Sequence, residues 1–247
     1  MHRKIIYESD GLKWICFGRD PGKPDDVIDT NEYVIVSNEE VLMLDPGGTE
    51  IFPKVLTAVS EVIELGKITT YLCSHQDPDI MSSLPLWMAL TPKAKIYISW
   101  LWAGFVSHFG HEYSSNLVSV GDEGITIEVG GRPFQLVPAH HCHSAGNFSL
   151  YDPTARILFS GDVGAALIPP GYGLFVGNFD EHVKYMTKFH QRWMASNEAK
   201  RAWVRRVRKL KVDMICPQHG AIFKGEDVAK FLDWLDAVDV GCGCNAA

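Results

Sequence analysis

Imidazoles and carboxylates are the side chains that hold first-row metal ions in mixed sites, and this chain sets them directly behind apolar runs four times. The first stretch is Ser74-His75-Gln76-Asp77-Pro78-Asp79-Ile80. The others are VPAHHCHSAGN, from Val137 to Asn147, FSGD, from Phe159 to Asp162, and CPQHG, from Cys216 to Gly220. In the first stretch an imidazole and two carboxylates fall on alternate residues. Carboxylates that close repel unless a cation lies between them or they point into water. A metal is one answer and a solvated turn is the other. One histidine after a strand carries little weight, because most such residues are capping or surface groups; four strand-end loops, each with a His or an Asp, carry much more.

The elements that must position these loops follow from periodicity. Residues 68–74 read as a strand that ends on the first loop, with a helix starting near Ile80. Residues 33–37 and 41–44, joined by Asn38-Glu39-Glu40, read as a hairpin closed by the turn Asp45-Pro46-Gly47-Gly48. A helix is expected over 51–65, a strand over 95–99, and an aromatic helix in WLWAGFVSHFG. Further strands fall at 125–129, 134–138, 148–151, 157–160 and 212–216. Beyond the Gly-rich loop GYGLFVGN, two helices cover 179–210, and a last helix covers 226–238. Two β-rich halves with helices outside predict an α/β fold built as an αββα sandwich, with the candidate residues at strand ends, where α/β proteins place their chemistry.

Composition limits the function classes. The chain has 247 residues, 46% hydrophobic and 21% charged, and no Pro/Ser linker divides it. One domain is therefore expected over 1–240, with 241–247 as a flexible tail. A net charge of -7 argues against nucleic acid as a partner. No stretch approaches the ~20 apolar residues of a membrane span, and MHRKIIYESD lacks a signal-peptide pattern, so a cytoplasmic protein is expected. Six scattered cysteines point to reduced thiols rather than a disulfide framework.

The ordered series of loops resembles the metallo-β-lactamase superfamily over almost the whole chain. The family's motifs match His75, Asp77 and Asp79, then His143, Asp162 and His219. The resemblance implies an αββα sandwich with a binuclear metal site. By analogy His75, Asp77 and His143 would hold one ion, Asp79 and His219 the other, and Asp162 would bridge them. Asp77 stands where hydrolytic zinc members usually carry histidine. Mixed carboxylate and imidazole ligands suit iron that changes oxidation state, so two non-haem iron ions are expected, with zinc as the alternative. The phrases HSAGN, FSGD and CPQHG resemble the flavodiiron branch, and HQDPDI resembles its stand-alone oxygen-binding di-iron relatives associated with bacterial chemotaxis.

Two departures shape the expected function. Ile80 replaces the histidine that ends the family's first motif, so solvent fills a coordination position, or another residue reaches in, or the second ion binds weakly. His108, His111, His140 and His141 are the candidate substitutes, although each reads more readily as a loop residue. Ile80 itself would offer O2 a small apolar pocket, with Trp100, Trp102 and Phe105 as further wall or, on the plainer reading, as core. No FMN-binding phosphate loop is visible, and two ferrous ions supply two of the four electrons that reduction of O2 to water needs. The expected function is O2 binding in a sensing role linked to chemotaxis, with slow reduction at most. The alternatives are an O2 or nitric oxide reductase served by a separate donor protein, and a zinc-dependent hydrolase. A redox or signalling protein is the expected partner, and a homodimer is expected by analogy with the flavodiiron relatives.

Three motifs lie outside this scheme. Residues 200–211 hold seven cations, with Trp203, Val207 and Leu210 at helical spacing, and read as a solvated face able to dock an acidic partner. Cys242-Gly-Cys244 reads as tail, and Cys73 and Cys142, beside the ligand loops, are left out of the ligand set.

Overall fold

The computed structural model describes residues 1–19, 22, 27–109 and 111–245. It divides the chain into two compact units, Met1–Gly22 with Thr30–Phe134, and Lys23–Asp29 with Gln135–Ala247.

The first unit is built on a seven-stranded sheet in sequence order. Strands β1 (His2–Ser9), β2 (Leu12–Gly18), β3 (Asn31–Ser37) and β4 (Glu40–Leu44) are antiparallel neighbours. The hairpin β1–β2 lies outside the strands expected from sequence, although its signal is present: Asp10-Gly11 closes it with both residues at positive φ, 48° and 75°, the requirement of a tight two-residue turn. The expected hairpin is β3–β4, in register from Tyr33 opposite Leu44 to Ser37 opposite Glu40. Helix α1 (Phe52–Ser60) stops short of the expected 65. There Ser60 Oγ donates to the Thr57 carbonyl, a local bond that competes with helix continuation.

From β4 the sheet turns parallel through β5 (Ile68–Leu72), past the short helices α2 (Pro78–Met81) and α3 (Leu84–Leu90), to β6 (Lys95–Ser99). Helix α4 (Trp100–Val106) then leads to β7 (Leu117–Val120) at the sheet edge. Parallel strands buried on both faces read as continuous apolar runs, and residues 41–44 of β4 do so, whereas Thr69 and Thr70 interrupt the run in β5. The core gathers Val34, Met43, Val55, Tyr71, Ile80, Trp87 and Ile96.

A second, six-stranded sheet is ordered β13-β12-β11-β10-β9-β8, with β8 (Ile125–Val129), β9 (Arg132–Pro138), β10 (Phe148–Asp152) and β11 (Ile157–Gly161). Helices α5 (Phe179–Trp193) and α6 (Asn197–Val207) precede β12 (Met214–Pro217), β13 (Phe223–Lys224) and α7 (Glu226–Ala237). The boundary between the units falls inside β9. Asn178 and Ser196 cap α5 and α6, each side chain accepting from a backbone N–H three residues on, at 3.1 Å. Met186, Trp203, Val204, Val207, Phe231 and Leu235 form the core of this unit. Trp203 also donates its indole N–H to Ser149 Oγ on β10 at 3.1 Å.

The basic run 200–211 differs from a uniformly solvated face. Lys200 is fully buried, and its Nζ donates to the Leu235 and Asp236 carbonyls at 2.7 and 2.9 Å, capping α7. Arg208 pairs with Asp233 and Asp236. The expected tail opens with Gly241 buried and donating to the Gln191 carbonyl at 3.1 Å, followed by a 3-10 turn over Cys242–Asn245.

Candidate metal centre

In the first unit the candidate residues leave the C-terminal end of β5. His75 is fully buried, Asp77 is the N-cap of α2, and Asp79 lies within its first turn, half-buried. The carboxylate of Asp45, just beyond β4, organises this loop. Asp45 Oδ1 accepts the Ser74 N–H at 2.7 Å and Oδ2 accepts the Ser74 hydroxyl at 2.6 Å. With its proton committed to a buried carboxylate, Ser74 Oγ accepts from His75 Nδ1, 2.9 Å away. Carboxylate, hydroxyl and imidazole thus fix the tautomer of His75, leaving a lone pair on Nε2. That nitrogen lies 3.4 Å from Asp77 Oδ2.

In the second unit three strand ends converge. His143 comes from the loop between β9 and β10, Asp162 follows β11, and His219 follows β12. His143 Nε2 stands 3.4 Å from Asp162 Oδ2, and His219 Nε2 stands 3.4 Å from Asp162 Oδ1. His219 Nδ1 donates to the Asp29 carbonyl at 2.9 Å, so the His219 nitrogen facing Asp162 also carries a lone pair. These separations exceed the ~2.7–2.9 Å of a charge-assisted hydrogen bond. They match two donor atoms at roughly 2.1 Å from one cation near the tetrahedral angle. The donor set therefore fits cations, with His143 and His219 each facing a different oxygen of Asp162 within this unit.

Side chains without sequence signals hold this trio. His143 stacks face to face on Phe189, with ring centroids 5.6 Å apart and planes 1° apart, and meets Trp193 at 5.1 Å. Phe189 is buried and Trp193 is 54% exposed, so α5 supplies an apolar wall that opens to solvent at Trp193. His190, fully buried, accepts the Gly164 N–H on Nε2 at 2.9 Å, and its Nδ1 donates to the Met186 carbonyl at 2.8 Å. It thereby fastens the turn after Asp162 as a neutral ring, and burial lowers its pKa to about 4. Burial also lowers His182 to about 4.

The remaining sequence candidates are placed as follows. Ile80 is fully buried in the core of the first unit, and its carbonyl accepts the Gly47 N–H at 2.9 Å. Trp100 is half exposed and donates its indole N–H to Asp122 at 2.8 Å. Phe105 is exposed, and Trp102 packs on it edge to face. His108 and His141 are exposed, and His140 packs edge-on against Phe148. The side chains of His111 and Cys244 lie outside the described residues. Burial pushes the Cys142 thiol up to about 12 and the Cys73 thiol well above its ordinary value.

A scan against family models matches residues 28–220 to the model described as ODP family beta lactamase. A solved structure described as a peroxy diiron species of chemotaxis sensor ODP is 41% identical, with 98% of this chain and 97% of that chain covered at a TM-score of 0.87. The apo state of chemotaxis sensor ODP from T. denticola matches over the same shares at 0.86 and 41% identity. Rubredoxin oxygen:oxidoreductase from Desulfovibrio gigas shares the fold at 18% identity and a TM-score of 0.83, over 95% of this chain and 61% of its own. An uncharacterized protein of Methanocaldococcus jannaschii is 22% identical over 83% of this chain, which spans about half (52%) of that relative's length. The α/β fold is thus of the metallo-β-lactamase type, as expected from sequence, and the chain belongs to the ODP family of β-lactamase-like proteins.

Proposed function

We propose that this protein binds O2 at a non-haem di-iron centre and serves as an oxygen sensor. The observation that carries the reading is the arrangement about Asp162. Each of its two oxygens faces a different imidazole nitrogen at 3.4 Å, as a carboxylate bridging two cations requires. The likeness to chemotaxis sensor ODP, whose structure is described as a peroxy diiron species, supports iron and O2 as the metal and ligand. In this reading His75, Asp77 and Asp79 join His143, Asp162 and His219 as the six protein ligands, and residues 1–240 act as one functional domain.

A ferrous pair held there would supply O2 ligation and two electrons. The chain's own residues do the rest. Asp45 and Ser74 hold the His75 ring with its Nε2 lone pair outward. The Asp29 carbonyl does the same for His219. Phe189 and Trp193 cover the His143 ring and exclude water from its face. Ile80 is a fully buried alkyl group where the superfamily motif has an imidazole. We assign the O2 pocket to Ile80 rather than to Trp100, whose indole is engaged with Asp122 at the surface.

Among the described residues no helix is long and apolar enough to cross a membrane. We place the protein in the cytoplasm, as a homodimer that passes its state to a chemotaxis signalling protein. The test is metal analysis of protein purified without oxygen. The proposal expects about two irons per chain, as two binuclear-site cations require; zinc in their place would support the hydrolase reading instead.

A further inference from the structure

The side chain that restrains the backbone of His143 closes the same stretch, HSAGN. His143 sits at φ +90°, in the left-handed region that residues with a Cβ rarely adopt, and His141 two residues earlier sits at +60°. Such a conformation persists only where its surroundings over-determine it. The ring is fixed by Phe189, Trp193 and Asp162. The backbone needs its own restraint, because φ of His143 is rotation against the peptide unit that carries the Cys142 carbonyl.

Asn147 supplies that restraint. It is fully buried, and its Nδ2 donates to the Cys142 carbonyl at 2.9 Å. Asn147 is itself anchored, since its carbonyl accepts the Ala139 N–H at 2.9 Å and its N–H donates to the Ser144 carbonyl at 3.4 Å. One carboxamide therefore ties the peptide before His143 to the start of β10. Its Oδ1 is buried and accepts no hydrogen bond from the described residues.

We propose that Asn147 is a positioning residue: it clamps the Cys142–His143 peptide so that His143 is held in its left-handed conformation, ready to bind metal. The proposal rests on the reading of His143 as a ligand. A clamp of this kind acts on metal affinity, whereas a purely structural asparagine acts on folding alone. Cobalt(II) is the probe, titrated into metal-free wild type, Asn147→Ala, Asn147→Ser and a control, Ser149→Ala, each confirmed folded by circular dichroism. Ser149→Ala removes the bond to Trp203 from the neighbouring strand without touching the clamp.

The expected result is a loss of cobalt affinity of about 10–100-fold in the Asn147 variants, the range for groups that orient a ligand, with less than a twofold change in Ser149→Ala. The cobalt ligand-field spectrum of Asn147→Ala should shift toward that of His143→Ala. Wild-type affinity in the folded Asn147 variants would overturn the clamp, as would an equal loss in Ser149→Ala. If Asn147→Ala fails to fold, Asn147→Ser, which keeps a shorter donor, carries the same comparison. Wild type that takes up no cobalt would instead remove the reading of His143 as a ligand.

Discussion

Replacing Ser74 with alanine tests the chain of hydrogen bonds that presents His75. The substitution removes a hydroxyl that donates to the buried Asp45 carboxylate at 2.6 Å and accepts from His75 at 2.9 Å. A hydrogen bond to a charged group contributes about 1.5–3 kcal/mol, and a neutral one about 1 kcal/mol. Asp45 keeps its bond from the Ser74 N–H, so the expected loss in metal-free protein is roughly 3 kcal/mol. At ~2–4 °C per kcal/mol for a chain of this size, the midpoint should fall by about 6–12 °C. The imidazole would also lose the partner that fixes its tautomer, and metal affinity should fall by roughly 10–100-fold. The assays are calorimetric unfolding of metal-free protein and metal titration against a competing chelator. Lower stability with unchanged affinity per folded molecule would refute the orienting role; no change in either would refute the hydrogen-bond chain itself.

Three further outcomes are expected. His182 and His190 hold pKa values near 4 when folded, below the ~6.5 of an unfolded histidine. The native state thus binds fewer protons, and the stability from both neutral rings is complete above pH ~6.5 and lost as pH falls toward 4, by about 3 kcal/mol per ring. Urea unfolding of metal-free protein at pH 7.5 and 5 checks this, and equal stability at the two pH values would refute it. Ile80→His should alter O2 affinity and the autoxidation rate of iron-loaded protein, and stopped-flow traces unchanged from wild type would remove the pocket from the account. Lys200→Met should lower stability by about 1–3 kcal/mol through loss of two bonds to the end of α7. A thermal midpoint within a degree of wild type would show that the cap is idle.

The sequence exposed those parts of the molecule in which function dictates residue type at short range. His75, Asp77 and Asp79 are legible as candidates because a loop at a strand end packs its donor groups into five residues, and β3–β4 because alternation and turn residues coincide. The supporting groups had no such signature. Asp45 looks like the first residue of a turn, and only folding brings it to Ser74, 29 positions on. The Asp29 carbonyl meets His219 across 190 positions, and a backbone oxygen has no residue type to read. Phe189, His190 and Trp193 share one helix with an ordinary amphipathic pattern, so nothing in the spacing marks them as the wall behind two ligand loops. Helical period revealed that residues 200–211 have an inner face, but period cannot show that an amine, Lys200, lies on it to cap another helix.

The central claim is that O2 meets iron on these six side chains. The most direct measurement is the visible spectrum of anaerobic, ferrous-loaded protein as O2 is titrated in, with iron determined on the same sample. The account predicts a new absorption band that saturates near one O2 per two irons and that is lost in Asp162→Ala. Two zincs per chain with no optical response to O2, or a response that survives the loss of Asp162, would contradict it.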